Sequence, residues 1–290
     1  MDIVDTIAAL RAALEPHRRA GRSIGLVPTM GYLHHGHMEL ARRARADNDI
    51  VVLTIFVNPT QFGPNEDFSS YPRDLDRDLA LCRENGVDLV FAPGVAEMYP
   101  EPIETHVEVE TLSDILIGVQ RPGHFRGVAT VVSKLFNIAQ PTRAYFGEKD
   151  FQQLAVIRRM VRDLCVPVEI VGVATVREPD GLAASSRNVR LSPEDRASAS
   201  VVPGAMDLAA RLAESGEHDP QAIVAAMARY LAGEPRASVG SIDIRDAETL
   251  GPIDRLGERD AVVLVTVRFG AVLLIDQRVL PAKREAGTGS

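Results

Sequence analysis

Five short apolar runs, at residues 23–28, 50–57, 87–91, 143–146 and 167–175, alternate with helix-period segments at 3–20, 36–47, 73–85, 128–139 and 150–164. Few folds accept that alternation. Each run is too short to be a buried helix, and each connection is long enough to cross over a sheet, so the strands are expected to lie mainly parallel with helices on both faces. The expected class is therefore α/β, a doubly wound sheet whose ligand crevice lies at the carboxyl ends of its strands.

The pattern changes after residue 175. Glu178-Pro179-Asp180-Gly181 is a turn signal. Two alanine-rich helices follow, at 193–214 and 219–232, and then three strands at 238–245, 261–268 and 271–276. This order predicts a smaller α+β domain. The expected organisation is a first domain over 1–175, a second over 176–283, and a disordered tail over 284–290.

The chain of 290 residues is 46% apolar and 25% charged, with a net charge of −8. That balance argues against a nucleic-acid or anionic-membrane surface. Cys82 and Cys165 lie far apart without metal-ligand spacing, and free thiols in a reducing compartment are expected. Met1-Asp2-Ile3-Val4-Asp5 lacks the basic and apolar regions of a signal peptide, and the apolar stretch Val51–Val57 is too short to span a bilayer. A cytoplasmic location is expected.

Where the first long run ends, the chain reads Val27-Pro28-Thr29-Met30-Gly31-Tyr32-Leu33-His34-His35-Gly36-His37. A strand delivers a glycine turn, and a helix opens beyond it with His34 and His37 around Gly36. Helix starts favour phosphate, glycine lets backbone approach it, and imidazoles add donors. Clustered histidines at a turn are otherwise ordinary surface residues, so the phosphate reading needs matching groups elsewhere in the chain. Asn58 and Gln61 stand directly after the second run, where neutral amides can hold the hydroxyl and carboxylate groups of a small substrate; an Asx/Pro turn without function is the alternative. Gly147-Glu148-Lys149-Asp150 follows a fourth run, with Asp150 expected as a helix cap and Lys149 on phosphate, and Gln153 one turn on. Ser185-Ser186-Arg187 offers hydroxyls and a fork of N–H donors. The loop is small and polar, and is expected to be mobile until a phosphate orders it. Asp74, Asp76 and Asp78 are read as a solvated helix face rather than as metal ligands.

His-x-Gly-His after a first strand resembles the signature of nucleotidylyl transferases and class I aminoacyl-tRNA synthetases. The wider set is more specific. Pro28–Gly31, His34–His37, Phe56–Phe62, Tyr71–Arg73, Arg121–Gly127, Phe146–Asp150 and Ser185–Asn188, in that order, resemble the motifs of the pantoate–β-alanine ligase family. A different adenylylating or cytidylylating transferase would not need the amides at 58, 61 and 153, and a binding module would not need His34, His37, Lys149 and Arg187.

The resemblance implies a Rossmann-like fold with a C-terminal lid domain, a homodimer, and an enzyme that joins pantoate to β-alanine through a pantoyl adenylate. Its substrates are ATP, pantoate and β-alanine, with Mg²⁺ entering on ATP. It places ATP on Met30, Gly31, Tyr32, Leu33, His34, His35, Gly36 and His37, on Gly147, Glu148, Lys149 and Asp150, and on Val176, Ala184, Ser185, Ser186 and Arg187. His37 is implied as proton donor, with His34, Lys149 and Arg187 beside it in catalysis. Gln61, Gln153 and Asn58 are implied for pantoate and β-alanine. His35 occupies a variable position and carries no separate role. Ala184 stands where many members have Met or Leu.

Overall fold

The structure is a computed structural model that describes residues 1–64, 66 and 68–283. By internal contacts it comprises two compact units, one of Met1–Glu148 with Gln152–Ala174 and one of Lys149–Phe151 with the chain from Thr175 onward. The expected tail at 284–290 lies outside the described residues.

The first unit is built on a six-stranded sheet in the order β1-β4-β3-β2-β5-β6, every pair parallel. The strands are β1 (Asp2–Val4), β2 (Ile24–Thr29), β3 (Ile50–Ile55), β4 (Leu89–Phe91), β5 (Arg143–Gly147) and β6 (Glu169–Val173). β2 and β3 are apolar along most of their length because both faces are covered. Ile24, Leu26, Ile50 and Val52 face one core; Val27, Val51 and Leu53 face the other. Helices α1 (Ile7–Arg19), α4 (His124–Ala139) and α5 (Phe151–Asp163) supply the first core, and α2 (His35–Asp47) and α3 (Leu75–Glu84) the second. Gly25 of β2 is glycine for a packing reason: a Cβ there would sit 2.6 Å from Asn48 Nδ2, which donates to Tyr145 Oη at 2.6 Å and to Ala44 O at 2.9 Å.

Three helices depart most from expectation. The segment 3–20 is not one helix: Asp2–Val4 pairs with Leu89–Phe91, and Thr6 caps a helix that begins at Ile7. β-Branched Ile3 and Val4 take the ladder that β4 offers. Helix α4 begins at His124 rather than 128, because Gly123 adopts φ +80 and turns the chain into the helix four residues early. The helix expected over 193–214 is two, α6 (Pro193–Ser198) and α7 (Val201–Glu214). Pro203 has no N–H for the Ala199 carbonyl, so it fits only the first turn of a new helix.

The second unit packs α7 and α8 (Pro220–Ala232) on an antiparallel sheet, β7 (Ser238–Asp246), β8 (Ala261–Phe269) and β9 (Val272–Leu280). Met206, Ile223, Met227 and Leu231 meet Val263, Val265, Val267 and Phe269 in its core. β9 runs four residues past its expected end because each residue from Val272 to Leu280 has a partner on β8.

Both cysteines are free thiols. Cys82 is fully buried on α3, and burial pushes its thiol up to about 12. Cys165 is exposed. Among the described residues no helix is long and apolar enough to cross a membrane.

Candidate active site

The sheet order reverses between β2 and β5: β3 and β4 extend to one side of β2, β5 and β6 to the other. Such a switch point opens a crevice at the carboxyl ends of the strands. β2 delivers Thr29–His37 there, and β5 delivers Gly147 and Glu148.

The turn after β2 is held by side chains. Thr29 Oγ1 donates to Thr54 O at 2.6 Å and accepts from Gly31 N at 3.1 Å. Gly31 (φ +81) and Tyr32 (φ +49) are both left-handed. That conformation turns the N–H groups of Tyr32 and Leu33 toward Asp78, whose Oδ2 and Oδ1 accept them at 2.7 Å each. Asp78 is 1% exposed. Its desolvation raises the carboxyl above its ordinary value, and the two N–H donors pull it partly back. The solvated-face reading of Asp74, Asp76 and Asp78 is therefore wrong for Asp78. Asp76 is exposed, and Asp74 caps α3 by accepting from Arg77 N at 3.2 Å.

Imidazoles cap α2. His34 Nδ1 accepts from Gly36 N at 3.1 Å, and His37 Nδ1 accepts from His34 N at 3.3 Å. The rings lie 4.0 Å apart, tilted by 43°. With each Nδ1 an acceptor, the neutral rings carry their protons on Nε2, so both are Nε2–H donors. The backbone donors of Gly31 to His34 and of Gly36 are satisfied within the protein. The glycine backbone that the sequence marked for phosphate is thus engaged within the protein. Met30 approaches Gln61, and His35 is exposed beside His34.

A short 3₁₀ turn, Pro59–Gln61, follows β3. Gln61 is 8% exposed and Asn58 1%. Asn58 Nδ2 donates to Gln61 Oε1 at 3.0 Å and to Gly127 O at 3.2 Å, while Asn58 Oδ1 accepts from Thr60 and from Tyr99 Oη. The Asn58 amide is spent on orienting Gln61. From the other side, His124 meets Gln61 O at 2.9 Å and Arg121 meets His124 Nε2 at 3.1 Å. Arginine can only donate, so His124 Nε2 accepts and its Nδ1–H goes to Gln61 O. Arg121 also grips Glu66 through two bonds of 2.7 and 2.6 Å, and the guanidinium holds the Glu66 carboxyl below its ordinary value.

Glu148–Asp150 form a 3₁₀ turn that runs directly into α5, with Asp150 the last residue before the helix. Lys149 Nζ is 3.6 Å from Asp150 Oδ2. Gln152 is buried and donates to Leu112 O and Ile115 O, while its neighbour Gln153 is half-buried.

In the second unit, Val176 O accepts from Ala184 N at 2.9 Å and Arg177 bridges Ala183. Asn188 Nδ2 donates to Glu178 Oε1 at 2.7 Å and Ala183 O at 3.0 Å, and Arg196 clasps Glu178 and Asp180. Ser185 Oγ accepts from Arg187 N at 3.2 Å. Leu182, Ala183 and Ala184 are buried, so this segment has more apolar anchorage than its composition promised.

The sequence pattern gave no sign of Glu66 or Tyr99, placed Asp78 on a solvated face, and marked Arg121 and His124 without a role. A signal for Asp78 existed: it lies on the stripe of α3 that buries Leu79 and Cys82, where a carboxylate requires partners. Among the described residues no three His, Cys, Asp or Glu side chains converge as a metal site.

Comparison with known proteins decides the family. The family model described as pantoate-beta-alanine ligase matches residues 2–279. The chain belongs to the pantoate-beta-alanine ligase family. It is 59% identical to a pantothenate synthetase of Rhizobium meliloti (strain 1021) over 283 residues, 98% of this chain and 97% of that one. A pantothenate synthetase of Brucella anthropi is 56% identical, with 97% of each chain covered. Among solved structures, a pantothenate synthetase from Thermus thermophilus superposes with a TM-score of 0.90 at 52% identity, covering 96% of this chain and 99% of that one. A pantoate-beta-alanine ligase from Francisella tularensis, solved with beta-gamma ATP and beta-alanine, has a TM-score of 0.79 at 32% identity, covering 96% and 97%. The ligase family expected from the motifs is the family found.

Proposed function

We infer that this chain condenses pantoate with β-alanine to pantothenate, using ATP, by way of a pantoyl adenylate. One observation carries the reading: two imidazoles are locked as Nε2–H donors at the start of the helix that follows the switch-point strand. Family membership and the ATP and β-alanine bound to the Francisella relative support it.

Attack of the pantoate carboxylate on the α-phosphorus expels pyrophosphate and needs charge stabilisation and alignment more than covalent help. His34 and His37 supply Nε2–H hydrogen bonds to the phosphates, with His37, the expected proton donor, sharing its Nε2 proton with the departing pyrophosphate as charge develops. Met30–His37, Gly147–Asp150 and Val176 contact ATP; Lys149, Ser185, Ser186 and Arg187 add phosphate donors, and Ala184 packs beside them. Gln61 binds pantoate and the β-alanine side, Gln153 binds pantoate, and Asn58 acts through Gln61. β-Alanine then attacks the acyl carbon and expels AMP. Magnesium arrives on the ATP phosphates, which supply most of its ligands. The N-terminal unit is the pantoate- and ATP-binding part, and the C-terminal unit serves as a lid. The protein works as a cytoplasmic homodimer, a point that sedimentation equilibrium tests.

The deciding assay incubates the protein with ATP, Mg²⁺, pantoate and β-alanine and reads AMP and pantothenate by mass spectrometry. Pyrophosphate exchange into ATP is expected with pantoate alone. Exchange that requires β-alanine overturns the two-step course.

A further inference from the structure

The turn that carries the histidines has the geometry of an anion site, and the protein has filled that site itself. Two successive left-handed residues, Gly31 and Tyr32, point the N–H groups of Tyr32 and Leu33 into one concavity. Such concavities bind anions, phosphate included. Here each oxygen of the buried Asp78 takes one N–H at 2.7 Å. Arg77 closes the outside, its guanidinium 5.0 Å over the Tyr32 ring and 3.8 Å from Asp78 Oδ1.

We propose that Asp78 is a positioning residue for the adenylation step: its carboxylate occupies the turn's anion nest, fixes the 31–33 backbone, and so aims His34 and His37 at the phosphates. The proposal rests on the functional reading above. The mechanical link is short. Leu33, held by Asp78, is bonded to His34, whose own N–H orients His37. α3 brings the carboxylate from a buried stripe, with Leu79 and Cys82 in the core beside it, so the turn is referenced to the core. Tyr32 has a Cβ and takes the left-handed conformation at a cost, which the two charge-assisted bonds offset. The filled nest also denies phosphate a resting place at the turn and leaves the imidazole donors as its partners.

The test uses Asp78→Ala, which empties the nest, with formate as the probe that refills it. Pantoate-dependent ATP–pyrophosphate exchange is measured with and without formate, beside amide hydrogen exchange over residues 29–38. A misaimed donor costs on the order of 10²-fold in rate. The expected result is that loss in kcat with KM for pantoate unchanged, faster exchange at the Tyr32 and Leu33 amides, and recovery of both by formate. Wild-type kcat in folded Asp78→Ala overturns the proposal, as does a loss that formate leaves untouched. Should the alanine variant fail to fold, Asp78→Asn keeps the volume and one acceptor. It must then lose kcat and protection at one of the two amides, and wild-type values for both overturn the proposal. If the wild type shows no pantoate-dependent exchange, the functional reading fails, while the amide measurement still tests whether Asp78 holds the turn.

Discussion

Gly127 sits where helix α4 touches the turn that presents Gln61. A Cβ added there would lie 2.6 Å from the Thr60 carbonyl carbon and 2.7 Å from Gln61 Cα, both backbone atoms that no rotamer change can clear. Gly127→Ala must therefore push the Pro59–Gln61 turn and α4 apart by roughly 1 Å to restore ordinary contact. The same motion stretches the Asn58 bond to Gly127 O, now 3.2 Å. Overpacking of this kind costs about 1–3 kcal/mol of stability. A displacement near 1 Å at a positioning group costs on the order of 10²-fold in rate. The expected variant is folded, with a modestly lowered Tm and kcat/KM for pantoate down by that factor. Its ATP affinity stays near the wild type's, since the residues around Gly127 orient Gln61 and not the histidine turn. Steady-state kinetics with each substrate varied in turn, alongside thermal melts, makes the measurement. A Gly127→Ala protein with wild-type kcat/KM for pantoate refutes the claim that Gln61 is placed by this contact.

Other perturbations obey the same logic. His37→Ala should lose about 10²–10³-fold in kcat with its melting curve little changed, because a half-exposed cap imidazole stabilises charge and not the core; retention of most activity would remove His37 from the chemistry. Gln153→Ala should raise KM for pantoate and leave ATP binding intact, because the substrate's polar groups lose the amide that pairs with them; parallel loss of ATP affinity, read by calorimetry, moves Gln153 to the nucleotide. Arg121 holds the Glu66 carboxyl below its ordinary value, so this pair contributes stability that is full above the ordinary Glu range and is lost as pH falls through the depressed one. With both side chains about a quarter exposed, the effect is about 1 kcal/mol at most. Acid melts of Glu66→Gln should lack that component, and a curve parallel to the wild type's at every pH would contradict it.

The parts of the site that sequence disclosed are those made locally. The strand, glycine turn and helix from Ile24 to Asp47 follow from neighbouring residues, and so does the placing of His34 and His37 at the cap. The fold class was legible because parallel strands covered on both faces must be apolar throughout, as β2 and β3 nearly are. What stayed hidden depends on distant partners. Asp78 reaches Tyr32 across 46 residues, and Arg121 reaches Glu66 across 55. No periodicity reports such pairs. β1 was missed for the same reason: three residues become a strand only because β4 lies beside them. Asn58 shows the converse: the sequence singled it out for a substrate, and its amide is engaged by Gln61, Gly127, Thr60 and Tyr99.

The two cysteines give this protein an internal clock. Thiolate is the reactive form, and Cys82 is both sealed in the core and held far from ionising at neutral pH, whereas Cys165 meets solvent directly. An alkylating reagent should therefore modify one equivalent at once and the second only as often as α3 lifts from the sheet. The slow phase counts openings of the same element that carries Asp78. Its dependence on bound nucleotide would then report how far ligand occupancy suppresses those openings, without a chromophore or an engineered label.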